Sequence, residues 1–291
     1  MPEIYEIKTR IEGLKSIHNI TYAMQIVTIS RLKRITAQLL RLKDSFSEVS
    51  RILGYLLSEN QKLKDKFFNQ ESNQDLPPVL VMFFSNRGFC GSFNQDVVNK
   101  AIQWCSQEGI AYESVEKICV GKKGSVVVKD PKATFIVPTK DLFSKEDGEV
   151  LFEKVNALIQ QKRKIYCVYF QFKSIVSQKV VLDSYYPPTH EEFETESISL
   201  DLGIPRFVDP SKEIAEEKVM DYYYYLKIFK AIRESASSEF SQRFLLMKSA
   251  VDNVKELSEE LMMELNKERQ RMITQEISEI ISTFKALQTK K

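Results

Sequence analysis

The stretch that decides the fold is "FSQRFLLMKSAVDNV", residues 240–254. Phe240, Phe244, Met247, Val251 and Val254 step by four and three residues, which lays their side chains along one narrow line of a helix. A line that narrow suits a single helical partner rather than a broad core. Neither proline nor glycine occurs from residue 211 to residue 291. Because an interior proline costs a helix about 3 kcal/mol and a glycine about 1, the whole segment is expected to be one helix. At about 1.5 Å per residue it would run to roughly 120 Å, more than a domain of this size can bury. Ile273, Ile277, Ile280, Phe284 and Leu287 repeat the same step beyond the charged interruption "NKERQR", residues 266–271.

The other end of the chain carries the matching pattern. Leu32, Ile35, Leu39, Leu42, Phe46, Val49, Leu53 and Leu56 alternate by three and four, as do Ile4, Ile7, Ile11 and Leu14. Ile17, Ile20, Met24 and Val27 follow the same step, with a slip of register expected between Val27 and Leu32. Two heptad helices at opposite ends of a chain are expected to pair antiparallel within it; self-dimerisation through either helix is the alternative. The boundaries expected are an N-terminal coiled-coil helix over 1–68, a polar linker over 69–77, a compact body over 78–208 and the C-terminal helix over 209–291.

That body has a different grammar. Strand-like runs occur at Val79–Phe84, Ile118–Val120, Phe135–Val137 and in "KIYCVYFQF" from Lys164, with helical segments near Asn94–Gln107 and Glu146–Gln161. Strand alternating with helix predicts a Rossmann-like α/β domain with a largely parallel sheet. The fold class is therefore α/β plus a long helical coiled coil, with the α/β domain inserted between the two paired terminal helices.

Composition narrows the function. A formal charge of +2 over 291 residues implies no general polyanion-binding surface, so nucleic acid is not an expected partner. No apolar run approaches the length of a membrane span, and the start "MPEIYEIKTR" has no apolar signal core. Cys90, Cys105, Cys119 and Cys167 form no CxxC pair and read as buried thiols of a reducing compartment. His18 and His190 are too few to suggest a metal site. The first strand runs into the turn Arg87-Gly88-Phe89-Cys90-Gly91 and then a helix, the layout that cradles phosphate in nucleotide-binding proteins. Yet neither the P-loop spacing nor GxGxxG is present there, nor in "VGKKGS", residues 120–125. Ser92 is not in GxSxG, and Glu191–Glu192 lie in a polar stretch. No catalytic residue, cofactor or metal site is expected.

Five quoted segments carry a family resemblance: "IEGLKSIHNITYAMQIVTISRLKR" (11–34), "SNRGFCGSFN" (85–94), "FKSIVSQ" (172–178), "SSEFSQRFLLMKSAVDN" (237–253) and "NKERQRMITQEISEII" (266–281). In these, and in the order helix, α/β body, long helix, the chain resembles the gamma subunit of F-type ATP synthases along nearly its whole length. The resemblance implies a non-catalytic central rotor shaft that couples proton-driven rotation of the membrane c-ring to ATP synthesis or hydrolysis on the beta subunits. It implies as partners the alpha and beta subunits of the catalytic ring, the epsilon subunit and the c-ring, and only indirect contact with the membrane. A peripheral position on the cytoplasmic face of a bacterial inner membrane follows from it. Met24 and Arg243 are the implied coupling positions, Arg269, Gln270, Thr274, Gln275 and Glu276 the implied contact band, and Arg87, Gly88 and Gly91 a structural turn. The chain departs from the family pattern at Asn19, Tyr22, Thr28, Ile29, Asn86, Ser92 and Arg271, none of which breaks a heptad or a turn. The runner-up is a nucleotide-binding α/β protein with a coiled-coil dimerisation arm.

Overall fold

A computed structural model of the chain describes residues 2–68, 76–139, 143–189, 193 and 212–288. Most of the expected linker 69–77 lies outside these residues, as do His190, Glu191, Glu192 and the expected start of the last helix at 209–211. Helix α1 spans Pro2–Glu59 and α2 Gln61–Phe68, with α6 over Lys212–Gln288. Asn60 divides the first segment: its Oδ1 accepts from the Leu63 N–H (3.2 Å) and so caps α2, while its Nδ2 donates to the Glu216 carboxylate (3.1 Å). The chain divides into two compact units, with borders after Thr28 and after Arg243.

The larger unit holds a five-stranded sheet: β1 (Val79–Phe83), β2 (Glu116–Val120), β3 (Thr134–Ile136), β4 (Ile165–Phe172) and β5 (Gln178–Tyr186), in the order β3-β2-β1-β4-β5. Helices α3 (Phe93–Gln107), α4 (Gly124–Val127) and α5 (Lys145–Gln160) connect the first four strands, which run parallel. The expected parallel α/β body is present. The antiparallel edge strand β5, paired with β4 through the turn at 173–177, was not among the expected strands.

Alternation along β1 sorts two cores, since successive side chains leave opposite faces of a sheet. Val79, Val81 and Phe83 face a cluster with Leu53 and Leu57 of α1, Phe67 of α2, Leu151 and Val155 of α5, and Tyr223, Ile228 and Ile232 of α6. Leu80 and Met82 face Phe93, Val97, Ala101 and Trp104 of α3, where the Phe93 ring stacks on Phe170 at 4.4 Å. All four cysteines are buried free thiols; burial pushes their pKa up, for Cys119 to about 12. In this unit α1 and α6 run antiparallel, with Leu32 and Ile35 packed against Phe240 and Ala236.

In the smaller unit the two helices also run antiparallel: Ile7 and Ile11 pack with Leu265 and Leu261. The expected slip of register does not occur. The inward line passes through His18, Thr21 and Thr28, while Ile17, Ile20 and Val27 point outward, Ile20 at 63% exposure. An unbroken α-helix cannot change phase without a stutter, so its flanking apolar segments carry the line through polar residues. The Thr21 and Thr28 hydroxyls donate back to the Ile17 and Met24 carbonyls, which satisfies them inside the seam. Ile273, Ile277 and Ile280, expected as a second seam, are exposed at 51–68% because α1 offers them no facing residues; Phe284 and Leu287 have no described side chains.

Two glycines on helices test this packing with one substitution. Gly13 has open space around it, whereas a Cβ at Gly148 would collide with the Phe229 ring. Gly13→Ala is expected to stabilise by up to about 1 kcal/mol and Gly148→Ala to destabilise by about 1–3, read as shifts of opposite sign in Tm. Asp147, in the first turn of α5, supplies a pH test. Its Oδ2 accepts from the Ser144 N–H (3.0 Å) and its Oδ1 from the Thr139 N–H (3.2 Å). Burial alone would raise its pKa, but these hydrogen bonds outweigh it and hold the carboxyl below the ordinary value. The stability they add is complete above the unfolded pKa of about 3.9 and lost as pH falls through the lower folded value. Asp147→Asn is expected to melt below the unmodified chain at neutral pH, with the gap closing on acidification; a gap constant down to pH 2 would contradict this.

Candidate functional site

Beyond β1 the chain makes the turn 85–91, and sequence-local bonds set its shape. The buried Ser85 donates its N–H to Asn94 Oδ1 (2.8 Å), and Asn94 Nδ2 returns a bond to Ser85 Oγ (2.9 Å). Gly91 has φ +61°, a conformation that glycine adopts without steric cost. Phe89 takes φ +60° with its ring exposed, a strained state for a side-chain-bearing residue. The second glycine loop is tied to the first. The Lys122 N–H donates to Asn86 Oδ1 (3.2 Å) and the Lys123 N–H to the Ser85 carbonyl (3.0 Å). Gly121, at φ +119°, lies so close to the Phe84 carbonyl that no Cβ fits. Asn86 stands where the family resemblance leads one to expect aspartate, and it keeps the acceptor role.

Helix α6 closes over this turn. Ser237, Ser238 and Ser241 are fully buried, and side chains this small let the helix backbone approach the sheet; Ser238 Oγ donates to the Phe170 carbonyl of β4 (3.3 Å). One turn further on, Arg243 is only 4% exposed. Its Nε donates to the Gly88 carbonyl (3.0 Å), and its Nη2 donates to the Arg87 carbonyl (3.1 Å) and to Glu239 Oε1 (2.7 Å). The Glu239 carboxylate in turn accepts from the N–H groups of Asn86 and Arg87; burial pushes its pKa up against the pull of Arg243 and those amides.

This geometry answers the question posed by the strand–turn–helix layout. In open α/β sheets ligands bind outside the carboxyl ends of the strands where the strand order reverses, here beside β1 and β4. That crevice holds α6, and the backbone donors of the turn face a carboxylate of the same chain. An intramolecular anion stands where a phosphate would, which weighs against the runner-up reading.

The structure brings Arg87, Gly88, Gly91 and Arg243 into one assembly. Met24 is half-buried on α1, its carbonyl accepting from Thr28 Oγ1 (2.7 Å). Arg269, Gln270, Thr274, Gln275 and Glu276 are exposed on successive turns of α6. Sequence reasoning missed Glu239 and Asn94. Glu239 had a legible signal, an acid one helical turn before Arg243 within a run of serines; Asn94 closed the quoted "SNRGFCGSFN" without being assigned a task.

Arg243→Met is expected to cost about 3–5 kcal/mol, because it strands a buried carboxylate. Glu239→Gln together with Arg243→Met is expected to cost clearly less than the two single losses added, with faster amide exchange at residues 86–88 in every variant. Additive losses in that double-mutant cycle would show that the two side chains do not act as one clamp.

A family model described as ATP synthase matches residues 3–287. The chain is 24% identical over 306 residues to the ATP synthase gamma chain of Salinibacter ruber, covering 99% of each chain. To that of Amoebophilus asiaticus it is 29% identical over 294 residues, again covering 99% of each. In fold it is similar to a chain of the Euglena gracilis mitochondrial ATP synthase, OSCP/F1/c-ring, in rotational state 3. The TM-score is 0.64 at 20% identity, over 98% of this chain and 95% of that one. A chain of the Euglena gracilis mitochondrial ATP synthase rotor gives a TM-score of 0.60 at 18% identity, over 94% of this chain and 99% of that one. With one family model spanning nearly its whole length and gamma chains as its full-length relatives, this chain belongs to the ATP synthase gamma-chain family.

Proposed function

We propose that the chain is the central rotor shaft of a proton-translocating F-type ATP synthase and that ATP chemistry takes place on its partners. The observation that carries this reading is the bare end of α6. Ile273, Ile277, Ile280 and Ile281 are all at least half exposed, on a helix that extends past the last residues α1 can offer it. Isoleucine at this density on a solvated helix calls for shelter, and a ring of alpha and beta subunits around the shaft supplies it.

Several polar groups beside these isoleucines are already satisfied within the helix. The hydroxyls of Thr274, Ser282 and Thr283 donate to carbonyls one turn back (2.8–2.9 Å), and Gln275 Nε2 donates to Glu279 Oε1 (3.0 Å). These groups need no hydrogen bond from a partner, so that part of the surface can pass one beta subunit after another without a large penalty at each step. Arg269, Gln270, Thr274, Gln275 and Glu276 form the contact band on this reading, and Met24 contributes from α1. Arg243 acts through the turn it holds rather than by touching a partner. Because two helices present different residues in different directions, each beta subunit meets a different face. Unequal contact is what biases a conformational equilibrium, and rotation then moves the bias from subunit to subunit. The α/β domain is the part that engages the epsilon subunit and the c-ring. No helix among the described residues is long and apolar enough to cross a membrane, so attachment to the cytoplasmic face of a bacterial inner membrane runs through the c-ring.

Co-expression with the alpha and beta subunits of the same genome, followed by native mass measurement, is expected to give three alpha, three beta and one copy of this chain. Ile273→Asp with Ile277→Asp is expected to leave the Tm of the isolated chain within a degree or two, since exposed positions carry little stability, and to weaken assembly by about tenfold or more. A chain that self-dimerises while alpha and beta assemble without it would overturn the rotor reading.

A further inference from the structure

The clamp at the turn fixes α6, and α1 leaves the same domain beside it with a setting of its own. Nine residues before Arg243, about 13 Å back along α6 at 1.5 Å per residue, Glu234 is fully buried. Lys43 Nζ of α1 stands 2.6 Å from its Oε1. The same ammonium donates to the Phe172 carbonyl at the end of β4 (3.3 Å). One side chain of α1 therefore meets a carboxylate of α6 and the backbone of the sheet. One turn along each helix, Lys230 of α6 places its Nζ 4.4 Å from the centre of the Phe46 ring of α1. From Lys43 to Phe46 the chain runs forward, and from Glu234 to Lys230 it runs back. Both contacts thus belong to one antiparallel register, and a slip of one residue breaks both.

Around them the contact between helices and sheet is apolar, with Leu42, Phe46 and Val49 of α1 packed on the cluster that holds Ile228 and Ile232. Such contacts are non-directional and tolerate small slides. A buried carboxylate does not. Neither oxygen of Glu234 receives a hydrogen bond from another described residue, so its burial depends on Lys43 being in place. Lys43 keeps about a third of its side chain in water (35%), so the constraint falls on Glu234 and, through it, on the position of α1.

We propose that Lys43 and Glu234 are positioning residues, which lock α1 to α6 and to the end of β4 in one register and give the shaft a second anchor on the α/β domain. The Glu239–Arg243 pair anchors α6 to the turn after β1, and the Lys43–Glu234 pair anchors α1 beside it. Two helices anchored separately resist shear past each other when the domain turns. The transmission of torque rests on the rotor reading, whereas the register lock belongs to the chain by itself.

The test has two arms. Spin labels on Leu40→Cys of α1 and Tyr222→Cys of α6, both exposed positions of the larger unit, report the register of the full chain by dipolar distance measurement; the four native cysteines are buried. Glu234→Gln and, separately, Lys43→Met are expected to shift or widen that distance by about 1.5 Å or more, one residue's rise. Gly148→Ala controls for lost stability alone and is expected to lower Tm with the distance unchanged. If Lys43→Met does not fold, Glu234→Gln decides, since the amide keeps the shape and leaves Lys43 free to reach water. In the assembled complex, with the ring fixed and a probe on the α/β domain, the mean-square angular fluctuation of the probe is expected to rise by up to about twofold in Glu234→Gln, as two parallel anchors become one. An unchanged distance in the folded variants, or the same widening in Gly148→Ala, would overturn the register lock. A changed distance with unchanged angular fluctuation would overturn the second-anchor role. Failure of the unmodified chain to assemble would overturn the rotor reading instead, with the register still decided by the distance.

Discussion

The rest of this molecule hangs on the buried pair of Glu239 and Arg243. Hydrophobic contact between a helix and a sheet is strong but non-directional, and a helix on a purely apolar bed can slide or roll at small cost. Arg243 reaches the Arg87 and Gly88 carbonyls with two different nitrogens, while Glu239 accepts from the amides of Asn86 and Arg87. These bonds define the axial and rotational setting of α6 against β1 to within a hydrogen-bond length. A buried ion pair is poor evidence of stability as such, since desolvation cancels much of its attraction. Its use is positional, and a part that must transmit torque from a domain to a helix needs position more than it needs free energy.

The helix pair obeys a different constraint. Its inward line is apolar where Ile7 and Ile11 meet Leu265 and polar at His18, Thr21 and Thr28. Polar seam residues weaken a coiled coil while fixing its register, so stiffness is not uniform along the pair. The outward face at the same level is the reverse, with Ile17, Ile20, Ile26 and Val27 exposed. A monomeric coiled coil would place these two sets the other way round. The inversion makes sense when the outer face is itself to be covered, and it parallels the exposed isoleucines of α6.

Much of the architecture was legible because it rests on rules with long range along the chain. The absence of Gly and Pro after residue 211 and the 3–4 apolar step identify the long helices, and alternation of strand and helix identifies the parallel sheet. What was not legible depended on what faces what. The line Ile17, Ile20, Met24, Val27 is as good a heptad as the line through His18 and Thr21, and only the phase set by Ile4–Leu14 and Leu32–Leu56 decides between them. The isoleucines after residue 272 look like a seam in sequence, and only the structure shows that they are left at least half exposed among the described residues. Strand β5 escaped notice because "QKVVLDSYY" is an edge strand with mixed exposure. At the site, Arg87, Gly88, Gly91 and Arg243 were named, but the reason they belong together is Glu239, which lies far along the chain from the Asn86 and Arg87 amides and in contact with them in space.

The same carboxylate explains how a nucleotide-fold layout came to serve as a joint. The carboxyl ends of parallel strands, with the amides of the following turn, present a cluster of partial positive charge that draws an anion. A free phosphate would meet that demand reversibly, and the turn would then be only as rigid as its ligand is bound. An anion covalently attached to a helix meets it permanently. The effective concentration of Glu239 at the turn is set by the packing of α6 rather than by solution, so the crevice stays filled under all conditions in which the domain is folded. Arg243 then offsets the charge that Glu239 brings in, and the exposed, strained Phe89 at the tip shows that the turn is held from below rather than by its own preferences. The chemistry that elsewhere recognises a nucleotide is here spent on holding a helix in place.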